Sequence, residues 1–324
     1  MLIYIMKLIT IIIPSYNEEE VLPHLLQSLT EVTDSIANYT FEFLFVNDGS
    51  TDGTLELLKE YRQEDARIRY VDLSRNFGKE IGMLAGMDYA NGDAVIILDA
   101  DLQHPPSKIV EMIEWWEKGY DDVYTVRLNR EESFLKKATS KLYYKLLQRM
   151  TEENVYPNSG DFRLLDRKCV EALTSMRETE RYTKGMYGWI GFKKKELTYT
   201  EEERAAGETK WQFNQLLKLA IDGITSYSTV PLRISSIIGI IISIIAFIFL
   251  VIEIVKILVN GPEVAGYGTL LVGILFMGGI QLISLGIIGE YLGRIFIETK
   301  ERPPYLVEEV SDKNEDKNPK GNQK

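Results

Sequence analysis

Apolar residues follow two different patterns in this chain, with short runs in the first 230 residues and long runs after them. The short runs are continuous rather than alternating, which is typical of parallel strands covered on both faces. Segments of helical character separate them, and this strand–helix alternation predicts a doubly wound, mostly parallel α/β sheet. The expected strands are Leu8–Ile13, Phe41–Val46, Ile68–Val71, Ala94–Leu98 and Asp122–Val126, and the expected helices are Glu19–Ser35, Thr51–Asp65, Gly78–Ala90 and Ser107–Lys118.

Two long uncharged runs lie in the last third of the chain. Ile234–Ile252 contains 19 such residues and Tyr267–Gly289 contains 23. At a helical rise of about 1.5 Å per residue, each run spans roughly 28–35 Å, the thickness of the hydrocarbon core of a bilayer. Buried core helices are the alternative, but such helices rarely run this long without a polar face. Because Val259–Gly266 is a short connection, we expect an antiparallel transmembrane hairpin with spans at about 233–258 and 267–292.

Charges at the ends of these runs predict their orientation. Arg233 precedes the first run and Arg294 follows the second, whereas the loop between them carries Glu263. Positive charges favour the cytoplasmic side, so both long ends of the chain are expected there. The expected organisation is a cytoplasmic catalytic domain with amphipathic membrane-proximal segments (1–230, mostly helical and irregular after 130), two transmembrane helices (231–295) and a cytoplasmic, mostly disordered tail (296–324).

Charge and cysteine content exclude several function classes. The net charge of −11 argues against nucleic acid as a partner, because that binding depends on Lys and Arg contacts to phosphates. Cys169 is the one cysteine, so neither an internal disulfide nor a thiolate metal cluster is possible. With two histidines in the chain, a zinc site is also disfavoured.

Polar clusters follow three of the expected strands. For each cluster alone, helix caps and tight turns are an equally good explanation. Because ligands bind beyond the carboxyl ends of the strands in such sheets, Glu18, Asp48, Asp99 and Asp101 are expected on one rim. Carboxylates crowded in this way repel one another unless they share a cation. The Asp99-x-Asp101 pair suits Mg²⁺ or Mn²⁺, with water and phosphates as the other ligands.

Five motifs in order carry a resemblance to a known family. The chain resembles the family 2 glycosyltransferases of GT-A fold and, more narrowly, the polyprenyl-phosphate glycosyltransferases related to dolichol-phosphate mannose synthase. The bacterial branch with undecaprenyl-phosphate glucosyltransferases and CsbB-like enzymes is similar over nearly the whole chain, to about Pro304. The motifs are Pro14–Glu18, Val46–Asp52, Ser74–Lys79, Asp99–Pro105 and Gly160–Arg163.

The resemblance implies a role for each matching position. It implies that the nucleotide, the divalent metal and the diphosphate or acceptor are held by separate groups of residues. These are Pro14, Tyr16, Glu18 and Asp48 for base and ribose; Asp99, Asp101 and Gln103 for the metal, with Asp99 also near the ribose; and Lys79, Arg204 and Lys210 for the diphosphate or the acceptor. Thr209 and Trp211 stand where relatives often carry Ser and Tyr, which is a mild departure.

The chemistry of a lipid phosphate acceptor adds further candidates. A phosphate monoester has its second pKa near 6, so it is already mostly an anionic nucleophile at neutral pH and requires no strong base. It does require cations to hold it against a carboxylate-rich rim. Suitable cations are Arg127, Arg130, Lys136, Lys137 and Arg163, of which we favour Arg127 and Arg163. Lys136 and Lys137 fit a surface near anionic lipids equally well. Asp161 is a candidate either for a base or for an orienting group.

The resemblance implies inverting transfer of a sugar from a UDP-sugar to undecaprenyl phosphate, at the membrane of a bacterial cell. For the transferred sugar, we expect N-acetylglucosamine first and glucose second. A separate flippase and a downstream transferase are implied, and a homo-oligomer is possible. A processive polysaccharide synthase is a weaker alternative, because the chain lacks a Gln-x-x-Arg-Trp signature and further spans. A non-catalytic membrane scaffold that binds nucleotide sugars is disfavoured by the intact Asp99-x-Asp101 pair.

Overall fold

The chain forms two compact units. The computed structural model describes residues 6–127, 159–179, 181–199, 230–260 and 266–312. The first unit comprises residues 1–148, 153–211 and 302–324, so the chain returns to it at its end. The second unit comprises residues 149–152 and 212–301.

An eight-stranded sheet forms the centre of the first unit. Its strands are β1 (Lys7–Ser15), β2 (Tyr39–Asn47), β3 (Ile68–Leu73), β4 (Ala94–Ile97), β5 (Asp122–Arg127), β6 (Ser159–Asp166), β7 (Lys194–Tyr199) and β8 (Val307–Val310). They lie in the order β7-β5-β6-β4-β1-β2-β3-β8. Within this sheet only β6 and β8 run against the other strands. The mostly parallel α/β sheet is therefore confirmed, and all five expected strands are present.

Helices cover both faces of this sheet. They are α1 (Leu22–Asp34), α2 (Thr54–Glu64), α3 (Lys79–Tyr89), α4 (Lys108–Glu117), α5 (Arg167–Ser175) and α6 (Thr183–Trp189). In α1 the buried Leu22, Leu25 and Leu29 recur at helical spacing and join one core, which also contains residues of α4. Met83 of α3 and Leu173 of α5 belong to a second core on the opposite face. The four expected helices are confirmed, and the sheet is wound on both faces.

Two strands lie where the sequence analysis expected a mostly helical and irregular section. That expectation is wrong for β6 and β7. Strand β6 is buried between β4 and β5, yet Arg163 interrupts its apolar residues. Strand β7 begins with Lys194, Lys195 and Glu196, so neither strand shows the apolar run that marked the other strands.

The strand directions determine which residues meet at the rim. Strands β1 to β4 are parallel, so Ser15, Asn47 and Ile97 end at the same edge of the sheet. Strand β6 is antiparallel to β4, with Arg163 opposite Ile97. The start of β6 therefore lies at the edge where β4 ends, which brings Asp161 to the rim.

The second unit contains two long helices, α7 (Val230–Asn260) and α8 (Tyr267–Glu298). The Ser235 hydroxyl of α7 donates a hydrogen bond of 2.8 Å to the Ser284 hydroxyl of α8. Among the described residues, Phe276–Glu298 is the one segment long and apolar enough to cross a membrane, and Ile237–Phe249 is a shorter apolar stretch. The two helices coincide with the expected spans. That both of them cross the membrane, and in which orientation, remains a prediction.

Apolar side chains cover the outside of these helices. Phe247 is 65% exposed, Leu258 79% and Leu282 71%. Soluble proteins rarely expose apolar patches of this extent, so the second unit has the surface of a membrane-associated protein.

The expected disordered tail is partly ordered. Its residues Val307–Val310 form β8, which pairs antiparallel with β3 at the edge of the sheet. The expectation of disorder is wrong for the residues up to Asp312, because ion pairs and strand pairing compensate for their high charge. Residues 313–324 lie outside the described part of the chain.

Candidate active site

The loops after β1 and β2 are bound to each other. The backbone N–H of Asn17 donates to the Ser50 hydroxyl at 3.0 Å, and the Asn17 side chain accepts from the Thr51 N–H at 2.8 Å. The Glu18 N–H donates to the Thr54 hydroxyl at 3.0 Å. Asn17 has a φ of 56°, a left-handed conformation that Asn tolerates better than most residues. The first two sequence motifs therefore form one side of the rim.

Asp48 attaches a third loop to this side. It is buried, and its carboxylate accepts hydrogen bonds of 2.7 and 2.8 Å from the N–H groups of Phe77 and Gly78. The neighbouring Gly49 has a φ of +66°, and a Cβ atom there would lie 2.5 Å from the backbone carbon of Arg75. Only glycine fits this close approach, so the loop 74–78 is held against the end of β2.

Lys79 connects two carboxylates at the centre of the rim. Its ammonium lies 2.7 Å from Asp99 Oδ1 and 2.9 Å from Asp161 Oδ2. Burial alone would lower the pKa of Lys79, but the charges of Asp99 and Asp161 outweigh burial and raise it. Asp161 Oδ1 is buried and has no hydrogen-bond partner among the described residues, so this part of the site contains an acceptor that a bound group would satisfy.

His104 is a member of the site that the sequence analysis did not single out. Its Nε2 lies 3.4 Å from Asp99 Oδ2, and its ring stacks against Phe162 and Tyr199 with centroids 5.2 and 5.3 Å away. Burial would raise the pKa of Asp99, but the contacts with His104 and Lys79 outweigh burial and keep this pKa well below its usual range. The signal in the sequence was the position of His104 between Gln103 and Pro105, directly after the carboxylate pair.

The Asp99–Gln103 turn has the conformation of a functional loop. Leu102 has a φ of 58°, which is strained for a branched side chain, and the Gln103 N–H donates to Asp101 Oδ1 at 3.2 Å. Burial, and then the charges of Asp101, Asp52 and Asp99, raise the pKa of Glu18 to about 7. The carboxylates therefore lie within electrostatic reach of one another, as the sequence analysis expected.

The residues of this turn could supply some of the ligands of a divalent cation, with water and substrate phosphates as the others. Among the described residues, no group of three histidines, cysteines or carboxylates stands ready to hold a metal ion alone. Mg²⁺ and Mn²⁺ are usually held by one or two carboxylates together with water and substrate phosphates. Asp99, Asp101 and the Gln103 amide offer only oxygen ligands of this kind, and Asp101 adds to the repulsion that raises the pKa of Glu18.

Arg163 does not lie at the rim, and this corrects its assignment as a phosphate-binding residue. It is 1% exposed, and its guanidinium bonds to Asp122 at 3.1 Å and to the Gly160 carbonyl at 3.0 Å. Its Cζ also lies 3.4 Å from the centroid of the Tyr187 ring. In this structure the guanidinium is enclosed by protein and is not available to a lipid phosphate.

The remaining predicted residues are distributed as follows. Tyr16 is 45% exposed at the end of β1, and Pro14 packs toward α3, where a Cβ on Gly82 would lie 3.7 Å from it. Arg127 ends β5 and pairs in register with Tyr199, which stacks on His104. The other basic candidates lie outside the described residues; they are Arg130, Lys136, Lys137, Arg204 and Lys210.

A partly buried carboxylate behind the rim was not anticipated. Glu80 follows Lys79 and accepts a 3.0 Å hydrogen bond from the N–H of Thr183 at the start of α6. Burial, followed by the charge of Asp161, raises the pKa of Glu80. No sequence pattern connects positions 103 residues apart, so this link between α3 and α6 is visible only in the fold.

Comparison with known proteins identifies the family. The sequence model described as "Glycosyl transferase family 2" matches residues 10–174. The putative glycosyltransferase CsbB of Bacillus subtilis is 44% identical, covering 95% of this chain and 94% of that protein. The bactoprenol glucosyl transferase of Shigella phage SfV is 40% identical, covering 94% and 99% respectively.

Among solved structures, glucosyl-3-phosphoglycerate synthase from Mycobacterium tuberculosis, in complex with Mn²⁺, UDP and glucosyl-3-phosphoglycerate, is 17% identical with a TM-score of 0.45. That match covers 68% of this chain and 78% of that structure. The family match covers half of the chain, and the sequence relatives match nearly all of it. The chain therefore belongs to glycosyltransferase family 2 and is a glycosyltransferase.

Proposed function

We propose that this enzyme transfers glucose from UDP-glucose to undecaprenyl phosphate, with inversion at the anomeric carbon. The observation that carries the proposal is the contact of Lys79 with Asp99 and Asp161 at the rim, in a chain that is 40% identical to a bactoprenol glucosyl transferase. The sequence analysis placed N-acetylglucosamine first. The name of that relative favours glucose, so glucose becomes the first donor to test.

The donor half of the site follows from the loops around Asp48. Tyr16 and Glu18, on the loop after β1, lie beside the loop after β2 and would receive the base and ribose. Asp99, Asp101 and Gln103 would hold a divalent cation, which when bound neutralises charge on the departing diphosphate. Lys79 is half-exposed and already lies at this carboxylate cluster, so its ammonium is placed to donate to the same diphosphate.

The acceptor half requires cations more than a base. The lipid phosphate arrives ionised, so Asp161 need not take a proton from it. Asp161 instead orients Lys79 through Oδ2, and its unpartnered Oδ1 would accept from a bound substrate hydroxyl. Arg127 remains our candidate for the phosphate, because it lies at the carboxyl end of β5 and its register partner Tyr199 contacts His104.

A lipid acceptor agrees with the second unit. Its exposed apolar helices would lie in the membrane as two spans, with the catalytic unit and both termini on the cytoplasmic side. Two helices cannot enclose a path for a lipid-linked sugar, so a separate flippase and a later transferase would complete the route to the cell envelope. A homo-oligomer is compatible with this arrangement.

The experiment that tests the function uses the full-length protein in lipid nanodiscs. It is incubated with undecaprenyl phosphate, Mn²⁺ or Mg²⁺, and a panel of nucleotide sugars, and the lipid products are identified by mass spectrometry. We expect a single hexose on the lipid phosphate with UDP-glucose, and a β linkage by NMR. Transfer of another sugar would overturn the donor assignment, an α linkage would overturn inversion, and polymeric products would indicate a processive synthase.

Asp101→Asn is the matched variant for catalysis. It keeps the size of the side chain and removes the charge that the cation requires. We expect transfer to fall by about a hundredfold or more with an unchanged melting temperature, since the substitution weakens a ligand of the cation and leaves the packing of the fold as it is. Unaffected transfer in this variant would contradict the metal assignment, and absence of transfer in both proteins would favour the non-catalytic scaffold.

A further inference from the structure

The end of the chain forms a strap along the edge of the catalytic sheet. We define the C-terminal strap as residues 302–312, which follow α8 and include β8. Hydrogen bonds on both sides of β8 attach the strap to β3 and to the residue that follows β3. Leu306 O accepts from the Ser74 N–H, and the Ser311 N–H donates to Tyr70 O, each at 3.0 Å. Strand β8 therefore extends the sheet beyond β3 with a segment from the far end of the sequence.

Ion pairs hold the outer end of the strap. Asp312 lies 2.7 Å from Arg69 Nε and 2.9 Å from Arg62 Nη2. The Arg69 side chain is only 6% exposed and also pairs with Glu42, so Asp312 is a second carboxylate on a guanidinium inside the protein. Glu309 pairs with Lys59 at 2.7 Å, which is an exposed pair and contributes less.

Tyr305 anchors the other end. It is 2% exposed, belongs to the core between α3 and the sheet, and its hydroxyl donates to Asp88 Oδ2 at 2.6 Å. Asp88 also accepts from Arg177 at 2.6 Å, which connects Tyr305 to the segment after α5. A buried aromatic residue with a satisfied hydroxyl is a strong packing anchor. The strap is therefore held at both of its ends.

The strap reaches the loop that carries the donor site. Ser74, whose N–H bonds to Leu306 O, is the first residue after β3. The loop continues to Phe77 and Gly78, whose N–H groups bond to Asp48, and then to Lys79. Tyr305 contacts the other end of α3 through Asp88. The strap thus supports both the loop before Lys79 and the helix that Lys79 begins.

We propose that the C-terminal strap is a positioning element for the donor site. It holds loop 74–78 and α3 so that Asp48 is in place for the nucleoside of the donor and Lys79 for its diphosphate. The strap follows directly after α8, so the catalytic sheet is completed only by chain that lies beyond the membrane-associated helices. The inference rests on the proposed donor site, and its first readout is independent of any activity.

The test compares two truncations of the full chain. One variant ends at Pro304 and lacks the anchor and β8. The matched control ends at Asn314 and keeps the whole strap. Amide hydrogen exchange is measured at Phe77 and Gly78, and UDP binding is measured by calorimetry with Mn²⁺ present. We expect exchange at these two amides to be about tenfold faster in the variant ending at Pro304, and UDP to bind about tenfold more weakly.

Full-length Tyr305→Ala keeps the test decisive if the short variant does not fold. We expect faster exchange at Phe77 and Gly78 and weaker UDP binding in Tyr305→Ala, while Tyr305→Phe, which keeps the ring, recovers most of both. Equal exchange and equal UDP affinity in the variants and the control would overturn the proposal. If the proposed function fails, no lipid product forms in the control either, whereas the exchange difference at Phe77 and Gly78 is still expected.

Discussion

Replacement of Arg163 by methionine distinguishes a structural from a catalytic role for this residue. The sequence analysis interpreted Arg163 as a cation for the lipid phosphate, whereas the structure encloses it at 1% exposure. Its guanidinium bonds to Asp122, which is fully buried, and to the Gly160 carbonyl. Arg163→Met keeps much of the apolar volume beside Tyr187 and removes the charge. We therefore expect a loss of stability rather than a direct loss of chemistry.

The magnitude follows from the partners that remain. Removal of one partner from a buried ion pair usually costs about 3–5 kcal/mol, because a charge is left without compensation. In Arg163→Met, Asp122 retains Lys194 at 2.8 Å, so the lower end, about 3 kcal/mol, applies. For a unit of this size that corresponds to a decrease in melting temperature of about 6–12 °C. Asp122→Asn removes the charge that neutralises both Arg163 and Lys194 and should destabilise the unit further.

The assay measures thermal unfolding by near-ultraviolet circular dichroism and transfer at a temperature well below the transition. We expect the transfer rate per folded molecule to stay within about threefold of the unmodified enzyme, which is under 1 kcal/mol in activation free energy. Arg127→Met serves as the control for an acceptor-binding arginine, with a raised KM for the lipid and little change in melting temperature. An unchanged melting temperature with a hundredfold lower rate in Arg163→Met would refute the structural role.

Three further changes test the site. Gly49→Ala places a Cβ 2.5 Å from Arg75 at a φ of +66°, so it should cost about 1–3 kcal/mol in a denaturant titration. His104→Phe keeps the ring contact with Phe162 but removes the nitrogen beside Asp99. The affinity for Mn²⁺, measured by electron paramagnetic resonance, should therefore fall about tenfold. Equal affinity would contradict a role of His104 in orienting Asp99. Chelation with EDTA should abolish transfer, and added Mn²⁺ or Mg²⁺ should restore it; transfer that persists in EDTA would exclude a metal-dependent step.

The first half of the fold follows closely from the sequence. Continuous apolar runs such as Leu8–Ile13 are long enough to identify buried parallel strands, and each ends in a polar cluster. Parallel strands place those clusters at one edge whatever the details of packing, so the approach of Asp99 and Asp101 to Glu18 was predictable. The two long helices were equally clear from their length and composition.

The remaining elements were concealed by their charges. Strand β7 begins with two lysines, and β8 contains Glu308 and Glu309 between two valines. Both lie at the ends of the sheet, where one edge faces away from the other strands and tolerates charged side chains. The contact between Lys79 and Asp161 joins positions 82 residues apart. No local pattern encodes such pairs, so they require the strand order of the folded sheet.

The two charged residues of the Gly160–Arg163 motif demonstrate why strand register decides function. Asp161 and Arg163 are two positions apart, so their side chains leave β6 on the same face. Arg163 lies opposite Ile97, the last residue of β4, and opposite Tyr124 of β5, so neighbouring strands flank it on both sides. Asp161 lies beyond the end of β4, where the chain has already turned toward Asp99, and its carboxylate meets Lys79. A register shift of two residues toward the rim would place Arg163 where Asp161 lies and would carry Asp161 beyond that position. The pairing of β6 with β4 therefore determines that the carboxylate meets Lys79 at the rim and that the arginine lies in the core.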